Sequence, residues 1–311
     1  TSRLPAALAA GRVPLVAAAA AVAAVVAVSM APTPARAQGN TDVFLASLVL
    51  RPGAVQVTAL RNVTAREGYD NQPAFSRDGR TLYFAAPRED AQADIYAYAL
   101  ADGTMSRVTR TAPESEYSAT EVPDGGALSV IRVERDSTQR LWRVPLGTGT
   151  EAVILPSLKP VGYHAWADPF RLALFVLGAP PVLVLADVRS GRADTLMVNI
   201  GRSLHRIPGG SHVSVVSKAY EENWYIMDLD VDTRAMRPVA KLPKGTEDYA
   251  WLPDGRLIAG SGSKLFVADP SRAAEWVEVA DLGSGGVTGI TRLAVSPAGD
   301  RVAIVAIPAT R

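Results

Sequence analysis

The sequence predicts an all-β fold, a six-bladed β-propeller whose ring is closed by strands from both ends of the chain. Three observations predict it. A strand–turn–strand pattern recurs six times, and its turn glycine moves from Gly79 to Gly299, which is 220 residues over five intervals or 44 per unit. A spacing of about 40–50 residues is typical of a four-stranded propeller blade. The segment before the first unit also matches the part that the last unit lacks.

Each unit begins with a tight turn between two short apolar strands. The clearest copy is Phe75-Ser76-Arg77-Asp78-Gly79-Arg80, because Asp-Gly tolerates the positive φ of a tight hairpin. The third and fourth copies have lost the Asp-Gly pair. The six predicted turns are 75–80, 122–126, 166–171, 207–210, 252–256 and 295–300. The predicted strands after them, rich in β-branched and aliphatic residues, are 81–85, 127–131, 172–176, 212–216, 257–259 and 301–305.

A third strand follows in most units, and then a polar turn and a short outer strand such as 106–109. The predicted third strands are 94–98, 141–144, 182–187, 224–229 and 264–269. The uncharged run 172–186 is therefore interpreted as two buried strands, because Gly178 and Pro180-Pro181 would break a membrane-spanning helix.

The two ends of the propeller sequence complement each other. The sixth unit has only two strands, whereas 42–48 resembles the third strand that begins at Asp94, and 56–60 resembles an outer strand. Two strands from each end would complete one blade and remove the free sheet edges. A sandwich of unrelated strands is the alternative, but it would not predict matching ends.

The N-terminal segment is predicted to be an apolar helix over residues 1–31, followed by a linker over 32–41 and the propeller over 42–311. Nineteen residues from Val13 to Ala31 span about 28 Å as a helix, close to a bilayer core. We expect the segment to be retained as an inner-membrane anchor. A signal peptide cleaved after Ala37 is the alternative. Either way, Arg3 and Arg12 favour an inside N-terminus and a periplasmic propeller. The anchor residues are Val13, Leu15, Val16, Val22, Val25, Val26, Val28 and Met30.

Composition excludes several classes of function. Lys and Arg number 32 against 31 Asp and Glu, so the strong basic excess typical of nucleic-acid binding is missing, and no nucleic acid is expected as a partner. The chain has no cysteine, which excludes disulfides, thiolate metal sites and a cysteine nucleophile.

The first unit, from Phe75 to Arg80 with Asp94-Ile95-Tyr96 after it, resembles the TolB-like propeller repeats. The resemblance covers about residues 42–311 and implies a six-bladed extracytoplasmic propeller that binds proteins or small ligands, without a catalytic residue. The overall layout, an anchor before a cysteine-free propeller, resembles the membrane-extrinsic accessory subunit of bacterial photosynthetic reaction-centre and light-harvesting complexes.

Candidate ligand residues are expected at the mouth of the central channel, just before each first strand. Counting back from the turns gives Gln72, Ser118, Tyr163, Leu204, Asp248 and Arg292. They are interpreted chiefly as a hydrogen-bonded ring that fills the channel. The alternative is a small-ligand site with Asp248 and Arg292 as its charged members.

No metal or cofactor is predicted. His164 and His205 sit near the channel end of adjacent blades, but no carboxylate recurs beside them to complete a metal site. Asp228, Asp230 and Asp232 alternate as in a calcium loop, but the glycine and the final acid of that loop are missing, so the three are expected on one solvated strand face.

The sequence carries no nucleophile elbow and no phosphate loop, so the chain is predicted not to be an enzyme. The predicted function is a periplasmic propeller that braces a larger membrane complex, with other protein subunits and the lipid bilayer as partners. One alternative is a soluble periplasmic TolB-like binding protein. The other is a hydrolase or lyase with its site at the channel mouth.

Overall fold

The computed structural model describes residues 39–221, 223–272 and 275–309. This part of the chain contains twenty-four strands in six four-stranded antiparallel sheets. The predicted propeller is thereby confirmed. The predicted N-terminal helix and its residues, Val13, Leu15, Val16, Val22, Val25, Val26, Val28 and Met30, lie outside the described residues. Within the described ranges, no helix is both long enough and apolar enough to cross a bilayer.

Blades one to five are each built from four consecutive strands. Blade one comprises β3 (Asn71–Phe75), β4 (Thr81–Ala86), β5 (Asp94–Ala99) and β6 (Met105–Arg107). Blade two comprises β7 (Ser115–Glu121), β8 (Ala127–Val133), β9 (Gln139–Pro145) and β10 (Ala152–Ile154). Blade three comprises β11 (Val161–Trp166), β12 (Arg171–Val176), β13 (Val182–Asp187) and β14 (Ala193–Val198). Blade four comprises β15 (Ile200–Arg206), β16 (His212–Tyr220), β17 (Asn223–Asp230) and β18 (Met236–Lys241). Blade five comprises β19 (Tyr249–Trp251), β20 (Leu257–Ser261), β21 (Lys264–Ala268) and β22 (Val277–Asp281).

Blade six joins the two ends of the propeller. Its strands are β1 (Asp42–Arg51), β2 (Ala54–Asn62), β23 (Val287–Val295) and β24 (Arg301–Pro308), in the order β2-β1-β24-β23. β1 pairs with β24 without a register shift from Asp42 opposite Ala306 to Ser47 opposite Arg301. The predicted two-plus-two closure is therefore present, and it leaves neither end of the ring as an open sheet.

The first two strands of each blade meet in the predicted turns. Gly79 has a φ of 69° and donates its amide to the Ser76 carbonyl oxygen, as the Asp-Gly pattern requires. In blade three no glycine is present, and the Asp168 carboxylate instead accepts the amides of Phe170 and Arg171. This side chain explains why the degraded third copy still forms its turn.

The hydrophobic core lies between the blades and not within them. Six clusters of buried side chains occur in the described structure, and each is shared by two neighbouring blades. Between blades four and five, for example, Val216 and Ile226 pack in one cluster with Tyr249 and Leu257. Every blade therefore depends on both neighbours for burial.

Two of these interfaces each contain a cluster of hydrogen bonds centred on a serine. Ser214 of blade four accepts the Tyr249 hydroxyl at 2.6 Å and the Trp251 indole N–H at 2.8 Å, both from blade five. Ser129 of blade two accepts the Trp166 indole N–H at 2.9 Å and is hydrogen-bonded to His164 Nε2 at 2.7 Å, both in blade three.

The expectation of a solvated face for Asp228, Asp230 and Asp232 was wrong for Asp228. That side chain is 4% exposed and binds His212 Nδ1 and the Arg237 guanidinium. Asp230 accepts the amides of Asp232 and Thr233 and so closes the turn that follows β17. The acids serve strand pairing and a turn, which their spacing alone does not distinguish from a solvated face.

Candidate functional site

The first strands of the six blades line the central channel, and strand pairing aligns their residues. The aligned reference residues are Ala74, Thr120, Ala165, His205, Ala250 and Ala294, opposite the second or third residue of each second strand. Two residues earlier stand Gln72, Ser118, Tyr163, Ser203, Asp248 and Arg292. Five of these are the residues expected from the sequence.

In blade four the predicted channel residue, Leu204, is one position away from the residue that the structure aligns at this level. Ser203 takes the aligned place, whereas Leu204 packs in the hydrophobic cluster between blades three and four. The turn of this blade, Pro208-Gly209-Gly210, differs from the Asp-Gly pattern, so counting back from it shifted the register.

Arg292 and Tyr163 meet across the channel. They belong to blades six and three, which stand opposite each other in the ring, and the guanidinium donates to the tyrosine hydroxyl at 2.8 Å. The guanidinium carbon also lies 4.9 Å from the centre of the Tyr163 ring. Since these side chains reach from opposite walls, they obstruct the channel at this level.

Charged side chains surround this crossing. Arg202 binds Asp248 at 2.7 Å and Glu247 at 3.0 Å, and Glu247 also pairs with Lys218. Arg292 is 3.7 Å from Asp248. Arg202 and Glu247 each stand one residue before an aligned position. Counting back from the turns therefore could not identify them as channel residues.

Uncharged members complete the predicted ring on the blade-one side. The Gln72 side-chain oxygen accepts the Ser118 amide at 2.6 Å, and both residues have positive φ at a bulge in their strands. The structure thus brings the sequence-predicted residues Gln72, Ser118, Tyr163, Asp248 and Arg292 to one level of the channel. Whether they bind a ligand stays a prediction.

A cavity of about 690 Å³ extends from this level to the face that carries the strand-one to strand-two turns. Its rim includes the exposed prolines Pro208, Pro253 and Pro297. Arg202 and Asp248 also line a second cavity, of about 250 Å³, with Trp224 and Thr246. The charged ring is therefore a partition inside the channel, and the larger cavity opens at the turn face.

Most of the cavity wall is apolar. Ala74, Ala250 and Ala294 line it just above the partition, on the same strand face as the partition residues, and Pro208, Pro253 and Pro297 line its rim. An apolar wall with a few convergent polar groups at one end is the usual composition of a binding pocket.

Both channel histidines are neutral at pH 7. Burial lowers the pKa of His164 to about 3. Burial, helped by the charge of Arg292, lowers the pKa of His205 to about 4. His164 Nε2 bonds to Ser129 and His205 Nε2 to Ser203. Among the described residues no three His, Cys, Asp or Glu side chains are grouped to hold a metal ion.

Replacing His164 with leucine is expected to reduce the acid sensitivity of folding. Below pH 6.5 the unfolded chain binds a proton at this histidine and the folded chain does not, so the free energy of unfolding falls as pH drops towards 3. The loss is about 1.4 kcal/mol per pH unit, or about 2 kcal/mol between pH 6.5 and 5. The aligned Leu204 and Leu293 show that leucine is accommodated at this position.

Urea unfolding of both proteins at pH 7 and pH 5 measures this effect. The wild type should lose more stability than His164→Leu on acidification, because all other titrating groups are common to the two proteins. An equal loss in both would show that His164 is not the buried titrating group described here.

Comparison with known proteins places the fold but not the function. No protein-family model matches the chain, and no curated protein matches it in sequence. Among solved structures, a protein assigned as TolB from Agrobacterium tumefaciens aligns with a TM-score of 0.64 at 15% identity, over 86% of this chain and 98% of that one. TolB from Acinetobacter baumannii aligns with a TM-score of 0.57 at 14% identity, over 86% and 66%.

An enzyme shares the same architecture. An oligogalacturonate lyase in complex with manganese aligns with a TM-score of 0.53 at 16% identity, over 82% of each chain. At such identities the likeness shows the propeller fold alone, in agreement with the six-bladed fold expected from the repeats.

Proposed function

We propose that this chain is a non-enzymatic, protein-binding propeller of the periplasm, and that its binding site is the cavity on the turn face. One observation carries the proposal. The larger channel cavity has a mainly apolar wall and ends at a charged partition, so it offers a ligand both burial and an electrostatic contact. The likeness to TolB structures supports it, because TolB-like propellers are expected to bind proteins outside the cytoplasm.

The enzymatic alternative has less support. The lyase likeness concerns the fold, and in the described residues no cluster of metal-ligating side chains parallels the manganese of that complex. The channel histidines donate to or accept from serines, and both carboxylates of the partition, Glu247 and Asp248, are paired with cations. None of these groups is placed as an activated base or nucleophile.

The fold does not support the membrane-bracing interpretation in particular, because propellers with several different functions share this fold. We therefore prefer the soluble periplasmic binding protein, exported by a segment that is cleaved after Ala37. The intact mass of the native protein tests this location. A mature chain that begins at Gln38 supports it, whereas a mass that includes residues 13–31 supports the anchor and contradicts it.

Site-specific photo-cross-linking tests the binding face. Phe170 is 43% exposed in a turn on the cavity side, and Tyr220, the last residue of β16, is 67% exposed on the opposite face, so the two aromatic residues form a matched pair. Each is replaced by the cross-linker p-benzoylphenylalanine in the native cell. We expect one protein to be captured from position 170 and not from position 220.

A variant that fills the cavity separates specific capture from chance proximity. Ala294 lines the cavity, so Ala294→Phe should reduce capture from position 170 while leaving the fold intact by circular dichroism. Equal capture from both faces, or capture that Ala294→Phe does not change, would contradict the proposed site.

A further inference from the structure

We infer that the cavity recognises the C-terminus of a polypeptide, with the terminal carboxylate bound to Arg292 and the preceding apolar side chains against the cavity wall. The inference rests on the proposed function and specifies its ligand. Four features of the structure carry it: the unused donors of Arg292, the depth of the cavity, the sign and number of the charges at its floor, and the apolar wall.

Arg292 has hydrogen-bond donors that no described residue uses. A guanidinium carries five N–H groups, and within the described structure Arg292 makes a single hydrogen bond, to the Tyr163 hydroxyl. Its nearest carboxylate oxygen, on Asp248, is 3.7 Å away and therefore beyond hydrogen-bond distance. Its side chain is only 14% exposed. Arg202 next to it differs, because two carboxylates within 3.0 Å already engage it.

Such a guanidinium favours a carboxylate. Its planar fork matches two carboxylate oxygens, and burial strengthens the contact because water competes less. A phosphate dianion would bring more negative charge next to Asp248, which costs energy at this distance. An ammonium group, such as a chain N-terminus, would be repelled by Arg292 itself.

The other titratable groups at the floor do not supply a competing charge. Burial holds the pKa of His205 at about 4, and burial raises the pKa of Tyr69 from its ordinary value, so both are neutral at pH 7. Lys218, Glu247, Asp248 and Arg202 pair among themselves. Arg292 is thus the cation that an incoming anion would meet.

The depth of the cavity selects the end of a chain. Arg292 lies on β23 four residues before Ser296, which is followed by the rim proline Pro297, and four residues at the rise of a β-strand span about 14 Å. An aspartate or glutamate side chain is too short to reach from the rim to the partition. An extended chain of about four residues has the required length.

The walls along that path are apolar. Ala74, Ala250 and Ala294 line the cavity above the partition, and the prolines Pro208, Pro253 and Pro297 line it at the rim. They offer burial to two or three side chains of the peptide but no fixed register of polar contacts. We therefore expect selection for a free carboxylate and apolar residues, and not for one strict sequence.

The test compares two pools of fluorescein-labelled tetrapeptides built from Ala, Val, Leu and Phe. One pool has a free C-terminal carboxylate, and the other has a C-terminal amide. Binding to the full protein is measured by fluorescence anisotropy. Loss of a charge-assisted hydrogen bond at a buried site predicts binding about 10- to 100-fold weaker for the amide pool.

Variants of two arginines provide the matched control. Arg292→Gln should weaken binding of the free-acid pool by about 10- to 100-fold. Arg206 also lines the cavity but is exposed at its rim, so Arg206→Gln should weaken binding about fivefold at most. If Arg292→Gln fails to fold, the acid and amide pools still decide the question on the unaltered protein.

Three outcomes would overturn the inference. The amide pool could bind as tightly as the acid pool, neither pool could bind, or octanoate could bind more tightly than the peptides, which would assign the cavity to a fatty acid. The proposed function fails separately, since it requires protein capture from position 170 and does not depend on a free carboxylate.

Discussion

Removal of residues 1–62 is expected to abolish folding of the propeller. The deletion takes away β1 and β2, and with them the buried side chains Val43, Phe44, Leu45 and Leu48. Burial of four such side chains contributes roughly 6–12 kcal/mol, which is comparable to the entire stability of a typical domain. Val302 and Ile304 on β24 would also lose their cover, and that strand would become an open edge.

A shorter deletion, of residues 1–38, is the control because it keeps every strand of the closing blade. We expect the shorter protein to unfold cooperatively in urea and the longer deletion to give an aggregated or unfolded chain by circular dichroism and size-exclusion chromatography. A stable, monomeric product of the longer deletion would show that ring closure is not what holds the propeller together.

Ser214→Ala is expected to destabilise the protein by about 2–4 kcal/mol. The substitution removes the acceptor of the Tyr249 hydroxyl and the Trp251 indole N–H. Tyr249 is 0% exposed, so its hydroxyl would lose a partner without gaining water, at a cost of about 1–3 kcal/mol. The Trp251 N–H is partly buried and adds a smaller loss.

Ser217→Ala, on the same strand, is the matched control. Ser217 accepts one long hydrogen bond, from the Ala219 amide at 3.5 Å, at an exposed site. Its replacement should change stability by less than about 0.5 kcal/mol. Urea unfolding of the two variants checks the difference, and equal losses would show that the serine-centred cluster does not stabilise the blade interface.

The repeats made most of the fold predictable. Tight turns and buried strands are local features, so Phe75-Ser76-Arg77-Asp78-Gly79 could be interpreted without knowledge of its neighbours. The closing blade was predictable for a different reason. The segment from Asp42 resembles the third strand from Asp94, and in the structure the Val43 and Ile95 amides are both held by a threonine hydroxyl, of Thr64 and Thr109.

The channel was less predictable, because its contacts join residues that are distant in sequence. Arg292 and Tyr163 are 129 residues apart, and only ring closure brings them together. Counting back from turns found their level but misplaced Leu204, since one altered turn shifts the count. Buried pairing of Asp228 was missed for a similar reason, as His212 and Arg237 come from two neighbouring strands.

The contact between Arg292 and Tyr163 obstructs the central channel, so the propeller offers a pocket at its turn face and not an open passage. A ligand that enters at the turn face meets this contact before it can pass through the channel. The second cavity, of about 250 Å³, could take a different ligand. Arg202 and Asp248 line both cavities, so a ligand bound in one cavity would contact the same charged pair as a ligand bound in the other.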